Sequence, residues 1–153
     1  MIITLNNDEI RFAKSVGNMW VQLGVLNGYH KHGTIQPEQI IHINERGALA
    51  EYAASKLLKL KWNYSDPVKR EADIGMNTNV CSTDILSGNL IIEAKQPLDR
   101  FYILVIQMSG GSYDVVGYIS GETDKKQWRD DLPKPAWFIS RYDLKDCNGY
   151  LCN

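Results

Sequence analysis

The apolar residues of this chain change their spacing about halfway along the sequence. Residues 44–60 are rich in Ala, Leu, Lys and Glu, and their apolar side chains recur at helical intervals. Between residues 72 and 120 the apolar residues instead form short runs, separated by turn sequences such as Gly110-Gly111-Ser112. Helices that precede a set of strands predict an α+β fold, an α/β sandwich with N-terminal helices followed by a mainly antiparallel or mixed sheet.

The N-terminal part contains two helix-start signals. Asn6 and Asn7 precede two acidic residues, and short polar side chains cap free amides while acids favour the positive end of a helix. Pro37 suits the first turn of a second helix. We expect this second helix to continue, with or without a kink, into residues 44–60.

The length and composition indicate one domain. The chain has 153 residues, of which 44% are hydrophobic, and it contains no repeat or linker, so residues 1–153 are expected to share a single core. No leader sequence and no bilayer-spanning run is present, which predicts a cytoplasmic protein without a membrane partner. The 3 cysteines are an odd number without C-x-x-C spacing, which argues against disulfides and a structural zinc site.

An apolar strand that ends in charged residues is the main functional signal. Residues 90–96 read Leu-Ile-Ile-Glu-Ala-Lys-Gln. Residues i and i+2 of a strand point to the same face, so Glu93 and Lys95 are expected to project together. A carboxylate can hold a divalent cation and a neighbouring lysine can orient or polarise the attacking water, as metal-assisted phosphodiester hydrolysis requires. The alternative is a solvated strand end.

A third charged residue, Glu51, lies at the margin of the apolar arc of the second helix. Lys56 and Ser55 lie on the opposite side, so Glu51 is oriented toward whatever the helix packs on. This position would let the carboxylate join a metal site. The alternative is a helix-surface residue paired with Ser55 or Lys56.

Two aspartates between the helix and the strand could complete such a site. Asp73 stands in a short strand-like segment. Asp84 would lie directly opposite Glu93 if Gly88-Asn89 formed a two-residue hairpin turn. Facing carboxylates repel each other unless a cation lies between them. Both aspartates are therefore candidates.

In this order, Glu51, Asp73 or Asp84, Glu93 and Lys95 resemble the motif of the PD-(D/E)XK nuclease superfamily. The resemblance covers residues 44–96. It implies a restriction-endonuclease-like core at about residues 44–140 and hydrolysis of DNA with Mg²⁺ or Mn²⁺ as the cofactor. The residues that it implies are metal ligands at Asp73, Glu93 and Glu51, with Asp84 as the alternative aspartate, and a catalytic Lys95. In this interpretation Gln96 could contact the substrate phosphate or cap the site, and the basic residues Lys69 and Arg70 are candidate substrate contacts.

A narrower resemblance complicates this assignment. Gly47 with Glu51, followed by Asp73-Ile74-Gly75, is similar to a group of small phage and bacterial proteins with a nuclease-like core. In that group an acid-x-base element tends to follow the Asp-Ile-Gly sequence directly. This context favours Asp73 over Asp84 as the aspartate that pairs with Glu93. Residues 79–81 of this chain read Asn-Val-Cys, without acid or base. Either Glu93 and Lys95 have taken over the site, or the chain is an inactive nuclease-fold protein, of a phage accessory or inhibitor type, that binds nucleic acid or a protein.

The charge balance limits how such a partner could be bound. Lys and Arg number 17, Asp and Glu number 18, and the net charge is −1. DNA, the expected partner, would therefore need a local basic surface rather than the overall field. The sequence is also compatible with a protein partner and with a homodimer. The candidate basic residues are Lys56, Lys59, Lys61, Lys69, Arg70, Lys125, Lys126 and Arg129.

Overall fold

The computed structural model of the protein describes residues 1–26, 37–64 and 71–148. It has two long helices, a four-stranded mixed sheet and a three-stranded antiparallel sheet, which confirms the α+β class. A restriction-endonuclease-like core stays a prediction. The elements are β1 (Ile2–Thr4), α1 (Asn7–Leu26), α2 (Pro37–Leu58), β2 (Thr78–Thr83), β3 (Leu90–Glu93), β4 (Phe101–Gln107), β5 (Ser112–Ser120), β6 (Gln127–Arg129) and β7 (Ala136–Ile139), with short 3₁₀ turns at Ser109–Gly111 and Arg141–Asp143.

The start of α1 follows the predicted capping pattern. The Asn6 side chain accepts hydrogen bonds from the amides of Asp8 (3.0 Å) and Glu9 (2.9 Å). The Glu9 carboxylate accepts in return from the Asn6 amide at 2.8 Å. This reciprocal arrangement satisfies amides that have no partner inside the helix.

The second helix is continuous from Pro37 to Leu58, as its sequence predicts. It ends where Lys59 adopts a positive φ of 54°. The Leu60 amide then donates to the Ser55 carbonyl at 3.0 Å and the Lys59 amide donates to the Lys56 carbonyl at 3.4 Å. These two bonds form a Schellman motif, which satisfies the last carbonyls and turns the chain back toward the sheet.

The four-stranded sheet forms the middle layer, in the order β1-β5-β4-β2. Strand β2 runs parallel to β4, whereas the other pairs are antiparallel. Ile103 and Val105 of β4 pack against the helices, while Tyr102 and Leu104 pack against the three-stranded sheet. Alternate residues of a strand face opposite sides, so an apolar run such as β4 suits a position buried on both faces.

The three-stranded sheet forms the outer layer, in the order β3-β7-β6. Leu90 and Ile92 of β3 and Ile139 of β7 are fully buried against the four-stranded sheet. Ile91 and Glu93, at the alternate positions of β3, are exposed. The strand therefore places one carboxylate at its end, on the face away from the core.

The predicted hairpin around Gly88-Asn89 is wrong. Strand β2 pairs with β4 and β3 pairs with β7, so the two strands lie in different sheets. The turn lies earlier, where the Gly88 amide donates to the Ile85 carbonyl at 2.8 Å. Asn89 instead accepts from the Arg141 amide at 3.0 Å, which links the loop to the segment after β7.

The last third of the described chain holds turns and the strands β6 and β7. The sequence of residues 121–128 is compatible with a short helix, but the structure has turns followed by β6. The sequence of residues 136–140 indicates a last strand, which is confirmed as β7. Within the described part of the chain, no helix combines the length and apolarity needed to cross a membrane.

The close contact between α1 and α2 generates a stability prediction. A Cβ on Gly17 would lie 2.7 Å from Glu45 Cα and 2.8 Å from the Asn44 carbonyl oxygen. Gly17→Ala should therefore push the helices apart and lower the free energy of unfolding by about 1–3 kcal/mol in urea titrations.

Gly47→Ala is the matched control. A Cβ on Gly47, also within a helix, would have no neighbour within 4 Å. It should raise the free energy of unfolding by about 0.5–1 kcal/mol, because alanine favours helix. Equal effects of the two substitutions would contradict the assigned helix contact.

Candidate functional site

A cavity lies where the edge strand of the four-stranded sheet, β2, meets the edge strand of the three-stranded sheet, β3. Its volume is about 300 Å³. Two of the predicted metal ligands, Asp73 and Glu93, line it together with Gln96. The structure thus brings together three of the residues that the sequence singled out. The full lining is Asp73, Asn79, Val80, Cys81, Ser82, Ile91, Glu93, Gln96 and Tyr102.

Asp73 is held in place by the turn that precedes β2. Gly75, with a φ of 59°, reverses the chain, and the Ile74 amide donates to the Thr78 carbonyl at 3.1 Å. Asp73 then lies beside β2, where its Oδ2 accepts from the Val80 amide at 2.8 Å. Burial raises the pKa of Asp73 to about 6, against the lowering effects of the Val80 bond and of the Arg100 charge.

Glu51 lies next to Asp73, beside the cavity lining. Its carboxylate accepts a hydrogen bond from the Trp62 indole at 2.8 Å. The residue as a whole is half-buried, but its carboxyl group is enclosed, and this burial raises the pKa of Glu51 well above its usual range. The Asp73 charge raises it further. Two buried carboxyl groups therefore influence each other at this point.

The alternative position for Glu51, a surface pairing with its helix neighbours, is wrong. Lys56 forms an ion pair with Glu9 at 2.6 Å. The Ser55 hydroxyl donates to the Tyr52 carbonyl at 2.8 Å. Glu51 faces the layer on which α2 packs, as its place on the helical wheel predicts.

Lys95 does not share a face with Glu93. Strand β3 ends at Glu93, and the Gln96 amide donates to the Glu93 carbonyl at 2.9 Å to close a turn. The alternation of a strand therefore stops before Lys95. This residue is exposed and is not part of the cavity lining, which corrects the expectation of a paired acid and lysine.

Asp84 lies outside the cavity as well. It is exposed after β2, and its Oδ2 lies 3.2 Å from Nη1 of Arg46. The failed hairpin removes the geometry that would have placed it opposite Glu93. Asp73 is therefore the aspartate that shares a cavity with Glu93. Lys69 and Arg70, the predicted substrate contacts, lie outside the described residues.

Neutral groups occupy the positions of the acid-x-base element. Asn79 and Cys81 both line the cavity beside Asp73. Burial raises the pKa of the Cys81 thiol to about 12, and the charges of Asp73 and Glu93 raise it as well. The thiol is thus protonated at neutral pH and can supply neither a base nor a positive charge.

Arg100 is a site residue that the sequence did not reveal. Its Nη1 donates to the Asn79 side-chain oxygen and to the Glu71 carbonyl, each at 3.0 Å. The Arg100 charge lowers the pKa of Asp73. No spacing rule connects positions 73, 79 and 100, because the turn before β2 and the pairing of β2 with β4 bring them together.

The carboxylates can be compared with what a divalent cation requires. Among residues 1–26, 37–64 and 71–148, no group of three or more His, Cys, Asp or Glu is arranged to hold a metal ion. Mg²⁺, however, is often bound by one or two carboxylates and keeps several waters. Asp73 and Glu93 line the same cavity, and each could supply one such carboxylate. A cation beside them would also relieve the repulsion that raises the pKa of Glu51.

Comparison of the chain with protein-family models, with curated proteins and with solved structures finds no match. The similarity to PD-(D/E)XK nucleases therefore rests on the residues described above and stays a prediction.

The raised pKa of Asp73 generates a pH prediction. The folded state binds this proton up to about pH 6, whereas the ordinary pKa is 3.8. The resulting stabilisation is complete below the ordinary pKa and is lost as the pH rises through about 6. The free energy of unfolding should therefore fall by up to ~3 kcal/mol over this interval, at about 1.4 kcal/mol for each pKa unit.

Asp73→Asn tests this assignment in denaturant titrations at several pH values. Asparagine cannot ionise but can still accept from the Val80 amide, so the fall near pH 6 should become shallower. Glu51→Gln should also make the fall shallower, because burial and the Asp73 charge raise the pKa of Glu51 as well. Asp84→Asn, at an exposed position, should keep the wild-type profile; an unchanged profile in Asp73→Asn would show that Asp73 is not the titrating group.

Proposed function

We propose that the chain is a Mg²⁺-dependent nuclease that hydrolyses DNA phosphodiester bonds in the cytoplasm. The observation that carries this proposal is the shared cavity of Asp73 and Glu93, with the buried Glu51 beside Asp73. These carboxylates come from a turn, a strand and a helix that are distant in sequence. The convergence of carboxylates in and beside one polar cavity is typical of metal-assisted hydrolysis.

Asp73 and Glu93 would hold the Mg²⁺ or Mn²⁺ ion. Such an ion stabilises charge on the phosphate and makes a bound water more acidic. The Val80 amide fixes the orientation of the Asp73 carboxylate. One oxygen of Glu51 already accepts a hydrogen bond from Trp62, so we do not assign Glu51 as a direct ligand of the ion. Glu51 would instead influence the site through its electrostatic interaction with Asp73.

The water-positioning role predicted for Lys95 has little support in this geometry. Lys95 is exposed beyond the end of β3, and the lining of the cavity contains no lysine among the described residues. Gln96 does line the cavity, and its amide could contact a phosphate oxygen. We therefore assign the substrate contact to Gln96 and leave Lys95 outside the catalytic set.

A second candidate is a nuclease-like protein without hydrolytic activity that binds nucleic acid or a protein partner. The neutral Asn79 and Cys81 beside Asp73, together with the exposed Lys95, favour it. In this case the cavity retains carboxylates, but the described residues that line it include no lysine that could position the nucleophile.

Cleavage assays on duplex, branched and single-stranded DNA test the first proposal. We expect cleavage with Mg²⁺ or Mn²⁺ and none with EDTA. Glu93→Gln and Asp73→Asn should lower the rate by at least about a hundredfold, since they remove the cation ligands. Asp84→Asn should retain the wild-type rate, and Lys95→Ala should retain most of it.

Thermal unfolding with and without the cation separates binding from catalysis. A cation that binds only the folded state stabilises it by about 2.7 kcal/mol at a hundred times its Kd. Asp73→Asn and Glu93→Gln should abolish this stabilisation, whereas Asp84→Asn should not. If Glu51→Gln changes neither stabilisation nor cleavage, Glu51 is not part of the site.

The outcomes distinguish the two functions. Cation binding without cleavage, combined with a gel shift of DNA or capture of a defined protein partner, supports the second candidate. A gain of cleavage in Asn79→Asp/Cys81→Lys, in a variant that keeps the wild-type circular dichroism spectrum, would further show that the wild-type site has lost its acid and base. Absence of both cation binding and cleavage would reject the first proposal.

A further inference from the structure

A chain of side-chain hydrogen bonds runs from Arg100 through Asn79 to Gln96, and the last two residues line the cavity. Arg100 Nη1 donates to Asn79 Oδ1 at 3.0 Å, and Asn79 Nδ2 donates to Gln96 Oε1 at 2.8 Å. Asn79 is only 6% exposed. The guanidinium is itself held by the Glu71 carbonyl at 3.0 Å. The buried amide thus has a partner on each side.

The chemistry of the three groups fixes the direction of the chain. A guanidinium has donors only, so the Asn79 atom that faces it must be the oxygen. The Asn79 nitrogen then faces Gln96, and the Gln96 atom that meets this donor must be an oxygen. Asn79 also forms a hydrogen bond that lowers the pKa of the Tyr102 hydroxyl, as a donor to that oxygen would, although burial raises this pKa to about 12 overall.

The hydrogen bond from Asn79 also determines where the amide nitrogen of Gln96 lies. Because Oε1 is bound to Asn79, the Nε2 donors of Gln96 are directed away from Asn79. Gln96 lines the cavity with Asp73 and Glu93, which are acceptors when they are ionised. A side-chain donor beside two carboxylates suits a ligand that brings both a cation and an acceptor oxygen, as a metal-bound phosphate does.

We propose that Arg100 and Asn79 are positioning residues that hold Gln96 with its nitrogen toward the cavity, where it donates to a phosphate oxygen of a nucleic-acid backbone. This inference rests on the proposed function for its ligand. The orientation of Gln96 is a property of the free protein and can be tested without one.

Asn79→Asp tests the orientation. Aspartate accepts from Arg100 but offers Gln96 no donor, so the Gln96 amide should turn and donate its nitrogen to the new carboxylate. In ¹⁵N–¹H spectra we expect the Gln96 side-chain signals to shift and one of its protons to exchange more slowly. The exposed Gln127 side chain serves as an internal control and should not change. Unchanged Gln96 signals would overturn the proposed positioning.

Substitutions of Gln96, whose own side chain is exposed, test the contact with phosphate. The probe is a short labelled DNA duplex with Ca²⁺ in place of Mg²⁺, and the readout is its Kd. Gln96→Ala should weaken binding about fivefold, the loss of one hydrogen bond. Gln96→Glu keeps an acceptor for Asn79 but presents a carboxylate oxygen to the phosphate, so it should weaken binding more than about tenfold.

Ala94→Glu is the matched charge control, because it adds the same charge at an exposed position of the same turn. It should weaken binding far less than Gln96→Glu. Equal losses in the two variants would mean that only net charge matters, and the proposed contact would be wrong. If the wild-type protein binds no DNA, the proposed function and the phosphate contact both fail, while the spectra still decide the orientation of Gln96.

Discussion

Burial of β4 on both faces is the constraint on which the rest of the structure depends. Ile103 and Val105 face the helices, and Tyr102 and Leu104 face the three-stranded sheet. A shift of one residue would exchange these two sets, so the register of β4 is strongly specified. The parallel partner β2 inherits this register, and with it the position of Asn79, Val80 and Cys81 at the edge of the sheet.

The carboxyl groups of the candidate site lower the stability of the folded protein when they are ionised. The carboxyl groups of Glu51 and Asp73 are enclosed with one described hydrogen bond each, from the Trp62 indole and the Val80 amide. Their ionisation in this environment is unfavourable, as the raised pKa values of both carboxyl groups show. Neutral side chains of similar size would make a more stable core. Acids in such a position are a common feature of functional sites, since a bound ligand can offset what they cost the free protein.

The sequence was informative wherever the signal was local. The cap of α1 at Asn6, the continuity of α2 and the inward position of Glu51 all follow from residues within a few turns of each other. The hairpin was wrong because Gly88-Asn89 is a sound local turn signal, whereas the pairing of β3 with β7 depends on residues far along the chain. Lys95 was misplaced for a related reason, since i,i+2 alternation holds only while the strand continues.

The position of Asp73 was only partly predictable from the sequence. Its Asp-Ile-Gly context indicated the aspartate that shares a cavity with Glu93, but the bond to Val80 and the nearby Arg100 become visible only once the turn at Gly75 has folded. Arg100 itself carries no signal in the sequence that distinguishes it from other surface arginines. Buried residues that act through another side chain, such as Asn79, are similarly difficult to predict, because an isolated asparagine is most often part of a turn.

The parallel pairing of β2 with β4 has a consequence for how the protein reaches its native state. The segment between them leaves the four-stranded sheet, contributes β3 to the other sheet and returns, so β3 obtains its hydrogen-bonded neighbour only when β7 arrives. Contacts between such distant segments form slowly, because a long loop must close before they can contribute. The wall of the cavity that carries Glu93 therefore depends on a long-range contact, and it is not held in place in any state of the chain in which β7 has not paired with β3.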